Sequence, residues 1–191
     1  MIEKKLLSTL KDNYKSNEAD RREIGAAANG VLFDAKKTIF AIQKNNFKEA
    51  AVKLAAIETA LVSLEKRFGF ERLRKEGSYK AAAEEYVEAR TFFDIIKKKK
   101  ITAVTNVYLD YESYLGGVCD LIGELVRYAT NRAAAGKFNE VAKIKKIADD
   151  IMAQLVDFDL TGYLRTKYDQ ARGHLRKLEQ MSYEIRIRGK K

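Results

Sequence analysis

Apolar residues recur at helical spacing along most of this chain, and the interruptions mark where one helix gives way to the next. A first helix is expected to start after "KSNEAD", where Ser16 or Asn17 can cap it, and to continue through "AKKTIFAIQK". "NNF" (45–47) breaks it. A second is expected over "KEAAVKLAAIETALVSLEKRF", ending near Gly69. "GFERLRKEGS" connects to a third over roughly residues 78–99. "ITAVTNVYLDYESYLGGVCDLIGELVRYATNRAAAG" reads as a fourth, broken near its start and stopped by Gly136. "KFNEVAKIKKIADDIMAQLVDF" is the fifth, and "DLTGYLRTKYDQARGHLRKLEQMSYEIRIRG" the last, with Gly162 and Gly173 weakening its continuity. No repeat, low-complexity tract or linker divides residues 1–191. The pattern predicts a single all-α domain, an antiparallel bundle of six to seven helices.

Composition sharpens this reading. Proline is absent, which fits long, unkinked helices. The most apolar stretch, "AAVKLAAIETALVSLE", is interrupted by Lys53 and Glu58, so no membrane span is expected. "MIEKKLLSTLKDNYK" lacks the apolar core of a signal peptide. Cys119 is the single cysteine and leaves no intrachain disulfide to form; a reducing cytoplasm is the expected compartment.

A net charge of +10 points to a polyanionic partner, although a merely solvated basic surface would carry the same charge. The excess gathers in "RFGFERLRK" (67–75), "KKKK" (97–100) and "RIRGKK" (186–191). Arg67, Arg72, Arg74, Lys75, Lys97, Lys98, Lys99 and Lys100 are therefore candidates for phosphate contacts.

The candidate chemistry lies on two helices. Asp120, Glu124, Arg127 and Asn131 fall on one helical stripe among Val118, Leu121, Ile122, Leu125 and Val126. Gly116 and Gly117 precede them on the same side and would permit close approach of another backbone or a ligand. On the third helix Glu85 and Glu88 share a small or apolar face with Ser78, Ala81, Ala82, Ala89, Phe92 and Ile96, while Glu84 is expected to point to solvent. Carboxylates in apolar surroundings need compensation, by an arginine, a solvent-filled cavity or a metal ion. If the two faces meet, four oxygen donors converge. They would repel without a cation, and would hold Mg²⁺, Mn²⁺ or Ca²⁺ with one. The alternative is ordinary pairing of Asp120 and Glu124 with Arg127 or with a lysine from another helix. The single histidine, His174, is not part of a Glu-x-x-His pattern, so a helical di-iron centre is not expected.

Four segments in order, spanning about residues 20 to 189, resemble the translin superfamily and in particular its Trax (translin-associated factor X) branch. "EEYVEARTFFDIIK" is similar to the Trax "QEYVEA" helix, and "YLGGVCDLIGELVRYATN" to its "DYLLGVADLTGELMR" segment. "AKKTIFAIQK" and "LRTKYDQARGHLRKLEQMSYEIRIRG" are similar to the family's early helix and its C-terminal helix. Cys119 and Ile122 replace an alanine and a threonine of the Trax segment, a change expected to alter packing rather than chemistry. The compact form resembles prokaryotic, archaeal-type members. The resemblance implies an all-α fold of about seven helices, a closed octameric assembly, and binding of RNA or single-stranded DNA. It also implies a metal-dependent endoribonuclease, because the Trax carboxylates carry over onto Glu85, Glu88, Asp120 and Glu124, of which translin itself lacks the full set.

The expectation is thus an Mg²⁺- or Mn²⁺-dependent endoribonuclease acting inside a homo-oligomer. Glu85, Glu88, Asp120 and Glu124 would hold the ions that activate water. Arg127, also a candidate for nucleic-acid binding, would neutralise Asp120 or stabilise transition-state charge. The rival readings are a non-catalytic, translin-like RNA- or DNA-binding protein, and a helical scaffold for an acidic protein.

Overall fold

The computed structural model describes residues 2–188, so Gly189, Lys190 and Lys191 of the basic C-terminal run lie outside the described residues. The described residues form seven helices: α1 (Lys4–Gln43), α2 (Phe47–Phe68), α3 (Phe70–Leu73), α4 (Gly77–Ile96), α5 (Tyr111–Ala134), α6 (Phe138–Val156) and α7 (Gly162–Arg188). There is no strand among them.

Local chemistry explains most boundaries. α1 starts at Lys4, well before the expected caps at Ser16 and Asn17, because nothing between them breaks a run of good helix formers. It ends where Asn45 takes a left-handed backbone with φ 60°. Asn46 then caps α2: its side chain accepts from the Glu49 amide at 3.3 Å and donates to the Glu49 carboxylate at 2.7 Å. Gly69, at φ 72°, lets the chain turn out of α2 into the short α3, inside a segment expected to be only a connection. The break expected near the start of the fourth long helix is a complete one. Residues 99–110 are not helical, and α5 begins only where the Asp110 side chain accepts from the Ser113 amide at 2.9 Å.

That connection decides how the site is built. It returns along the bundle, held where the Glu65 carboxylate accepts from the Tyr108 amide at 2.9 Å and where Phe70 meets Tyr108 edge to face. α5 therefore runs parallel to α4: Lys80 pairs with Glu112 near their starts, and Phe92 packs on Tyr128 near their ends. α1 also runs parallel to α4, with Gly25 beside Ser78 and Lys36 close to Glu85 further along both helices. α2 and α6 run back between these parallel members as antiparallel neighbours. One continuous core joins the helices, centred on Tyr86, Phe92, Ile42, Leu121, Ile122 and Leu125.

Candidate active site

The close approach of α4 and α5 comes from two glycines. A Cβ on Gly116 would overlap the Glu84 carboxylate, and one on Gly117 would lie 2.6 Å from the Glu84 carbonyl oxygen and 2.7 Å from the Val87 Cβ. With no side chain at either position, the two backbones approach closely, in a register that carries Glu88 alongside Asp120. The two acidic pairs predicted from helical spacing do face each other.

Their mutual influence bears on the carboxyls of Glu85 and Glu88. Burial pushes the Glu85 carboxyl up; the Lys36 ammonium pulls it back, and Asp120 and Glu124 add repulsion. Glu88 is 8% exposed. Its burial, followed by the charges of Glu85, Asp120 and Glu124, pushes the carboxyl up to about 9. Without a cation, Glu88 is therefore a neutral acid at pH 7. Neither Glu85 nor Glu88 has a side-chain hydrogen-bond partner among the described residues.

The other two carboxylates are partnered in the way the alternative reading allowed, by Arg127 and by a lysine from another helix. Arg127 lies 3.5 Å from Glu124 and does not serve Asp120. Glu124 also accepts from Gln43 Nε2 at 2.7 Å, a residue of α1 that no sequence pattern singled out. Asp120 is held by Lys167 of α7, whose Nζ lies 2.5 Å from Asp120 Oδ2 and 2.6 Å from Glu84 Oε1. Burial works against the lysine charge, but hydrogen bonds and attraction to Asp120 and Glu84 outweigh it and hold the ammonium protonated well above its ordinary range.

Glu84, expected to be solvated, is instead a half-buried member of the cluster. Its carboxylate also accepts from the Tyr163 hydroxyl at 2.8 Å. The expectation failed because Glu84 stands one turn before Glu88, only about 40° round α4 from it, on a flank that α5 and α7 cover. His174 of α7 packs beside Gly123 of α5, where an added Cβ would stand 3.4 Å from its Nε2. The one signal for α7 was its own inward row of Leu164, Lys167, Ala171, His174 and Leu178, spaced by three or four residues.

Part of this cluster opens onto a cleft of about 1030 Å³, lined by Lys36, Lys80, Glu84, Glu85, Asp120 and Lys167 among others, whereas Glu88 and Glu124 do not line it. Among the described residues, no three His, Cys, Asp or Glu side chains stand close enough to hold a metal ion as they are placed. The donor set is nonetheless that of a hard divalent cation: carboxylate oxygens on two rigid helices, two of them unpartnered. Cys119 is buried, its thiol pushed up to about 12 chiefly by desolvation, and offers no soft ligand.

The basic candidates lie apart from the cleft and are unequal. Arg72 is half-buried, with Nη1 2.5 Å from Glu76. Arg67 pairs with Glu23 and Arg74 with Glu71 at 3.5 Å. Lys75 and Lys97 to Lys100 are exposed beyond their helix ends, with Lys97 5.2 Å from the centre of the Phe47 ring.

A model of the Translin family matches residues 18–189, almost the whole chain. The chain belongs to the Translin family. The match to this family takes in every residue of the cluster. Among individual relatives, an uncharacterised protein of Methanocaldococcus jannaschii is 29% identical over 171 residues, covering 86% of this chain and 76% of that one. Chicken translin is 32% identical over 83 residues, 43% of this chain and 36% of its own length. Human translin is 27% identical over 132 residues, 64% of this chain and 55% of its own, so the match spans about half or less of these vertebrate translins. The fold is that of solved family structures: the structure of an AfC3PO–duplex RNA complex superposes with a TM-score of 0.83 at 21% identity, covering 95% of this chain and 96% of that one. The crystal structure of apo-NeC3PO gives 0.82 at 22%, covering 96% and 97%. No described helix is long and apolar enough to cross a membrane.

Proposed function

We propose that this Translin-family chain binds RNA and cleaves it as a divalent-metal-dependent endoribonuclease, working as a homo-oligomer that is most simply an octamer. The observation that carries the reading is Glu88: a buried carboxyl facing Glu85, Asp120 and Glu124 with no hydrogen bond to compensate it. A structural acid in that position would ordinarily have a partner. RNA as the substrate is supported by family membership, by the likeness in fold to AfC3PO, which was solved with duplex RNA, and by the net charge of +10.

Glu85, Glu88, Asp120 and Glu124 would hold Mg²⁺ or Mn²⁺. Such an ion supplies Lewis-acid stabilisation of phosphoryl charge and lowers the pKa of water at the site. The chain's own residues do the rest. Lys167 keeps Asp120 and Glu84 in place from α7, Gln43 and Arg127 orient Glu124, and Lys36 and Lys80 line the cleft by which a phosphate approaches. Oligomerisation is supported by the start of α1, which leaves Leu6, Leu7, Leu10 and Tyr14 exposed.

The second reading, a binder without catalysis that takes RNA or single-stranded DNA, is favoured by one observation. Lys167 already pairs with both Asp120 and Glu84, as in a purely structural ion-pair cluster. Labelled RNA incubated with Mg²⁺ or with EDTA separates the two. Metal-dependent cleavage by the wild type, lost by orders of magnitude in Glu88→Gln with oligomer mass and RNA binding intact, supports the nuclease. Binding with no cleavage in either Mg²⁺ or Mn²⁺ supports the binder.

A further inference from the structure

Gln43, which binds Glu124, also lines a separate cavity of about 410 Å³, together with Phe40, Lys44, Arg127, Asn131 and Arg132 among others. Gln43 is the link between this cavity and the acidic cluster. Its Nε2 donates to Glu124 Oε2 at 2.7 Å, and its Oε1 accepts from Asn131 Nδ2 at 3.1 Å. The cavity therefore adjoins the carboxylates through a single amide side chain.

Its lining combines cations with an exposed aromatic ring. Arg132 is 9% exposed; Nη2 donates to Asn45 Oδ1 at 2.5 Å, while Nε has no hydrogen-bond partner and faces Glu140 only at 3.6 Å. Arg127 is largely exposed beyond its contact with Glu124. Lys44 Nζ lies 5.5 Å from the centre of the Phe40 ring, and that ring is 54% exposed. Phe40 is one of a pair: Phe33, 59% exposed, lies two turns earlier on the same face with Lys37 Nζ 4.2 Å from its centre. The face reads Phe33, Lys37, Phe40, Lys44, each large ring bracketed by an ammonium.

Such a face is poorly suited to a second copy of itself, because pairing ring to ring would bring lysine onto lysine. It suits a ligand with a flat π-face and a negative charge within a few ångströms of it, which describes a nucleotide. A base inside a duplex has both faces occupied by its neighbours, so only an unpaired nucleotide can use the ring. We infer that this cavity is a nucleotide subsite for single-stranded RNA next to the acidic cluster, with a base stacked on Phe40 and its phosphate met by Lys44, Arg127 and Arg132. The inference rests on reading the chain as an RNA-binding protein. It adds where an unpaired strand is gripped and what recognises it.

The test is equilibrium binding in EDTA, so that cleavage plays no part, using a single-stranded RNA oligonucleotide and a blunt duplex of the same length. Phe40→Ala should weaken single-strand binding by about tenfold and leave duplex binding nearly unchanged, while Phe40→Tyr retains most of the affinity. Lys44→Gln should weaken both and lower the dependence of affinity on salt. Unchanged single-strand affinity in Phe40→Ala, with wild-type melting temperature and oligomer mass, overturns the subsite. Equal losses on both RNAs overturn it too, as does a change in oligomer mass, which would make the face an interface between copies. Failure of the wild type to bind either RNA would instead remove the underlying RNA-binding reading.

Discussion

Lys167 reaches from α7 to within 2.5 Å of Asp120 on α5, and the same ammonium bridges to Glu84 on α4 at 2.6 Å. Three helices far apart in sequence are thus tied at one nitrogen, and the positive charge sits where a cation would relieve the same carboxylates. Lys167→Met should lower stability in EDTA by about 1–3 kcal/mol, less than for a fully buried pair because all three groups keep some solvent contact. Mn²⁺ should then raise the melting temperature of Lys167→Met more than that of the wild type, since the carboxylates have lost their internal counter-charge. A thermal-shift series in EDTA and Mn²⁺ measures both effects; no added response to Mn²⁺ in the variant would count against a cation site.

Glu88 predicts a pH signature. Folded Glu88 keeps its proton up to about 9, whereas an unfolded carboxyl releases it near the ordinary 4.5. Between those values the folded state binds more protons, so this group's contribution is full below the unfolded value and is lost as pH rises through the folded one. The slope from one such proton is at most about 1.4 kcal/mol per pH unit. Urea denaturation in EDTA from pH 5 to 8 should show stability falling, and Glu88→Gln should flatten the profile. A wild-type profile with no fall would mean that Glu88 is already charged.

The two glycines of α5 should respond differently to alanine. At Gly117 the new Cβ meets the Glu84 carbonyl and Val87, backbone and core atoms with little room to yield. Gly117→Ala should cost about 1–3 kcal/mol or more by forcing α4 and α5 apart. At Gly116 the obstacle is only the end of the Glu84 side chain, which can swing away. Gly116→Ala should therefore cost less stability but break the Glu84 contacts to Lys167 and Tyr163. Chemical denaturation of both variants checks the order.

Among the basic residues, Arg72 should behave as a structural group and the lysines as phosphate contacts. Arg72→Gln leaves half-buried Glu76 with only the longer contact to Arg21 at 3.9 Å and should destabilise by about 1–2 kcal/mol. Neutralising Lys75, Lys98, Lys99 and Lys100 should leave the fold unchanged. It should weaken RNA binding irrespective of sequence and reduce the salt slope by about 0.7–0.9 for each phosphate that is no longer neutralised. Melting curves beside a salt titration of RNA binding separate the two roles.

Helical periodicity is a local property, and what depended on it was legible in the chain. The absence of proline, the apolar spacing and the caps and glycines lead to an all-α fold, although α1 starts earlier than its capping residues imply and α3 is hidden inside a turn. The pairs Glu85–Glu88 and Asp120–Glu124 could be placed on inward faces for the same reason, as could the close approach at Gly116 and Gly117. What lay beyond that reach was every relation set by how the helices are arranged. The return of residues 99–110 makes α4 and α5 parallel, which aligns the two acidic pairs and brings Glu84 over Gly116. The packing of α7 delivers Lys167 to Asp120, and that of α1 delivers Gln43 to Glu124, which leaves Arg127 a different partner from the one its stripe implied. A side chain's own helix determines which way it points, but its charge partner is chosen by whichever helix packs there, and that choice is made only by the tertiary fold.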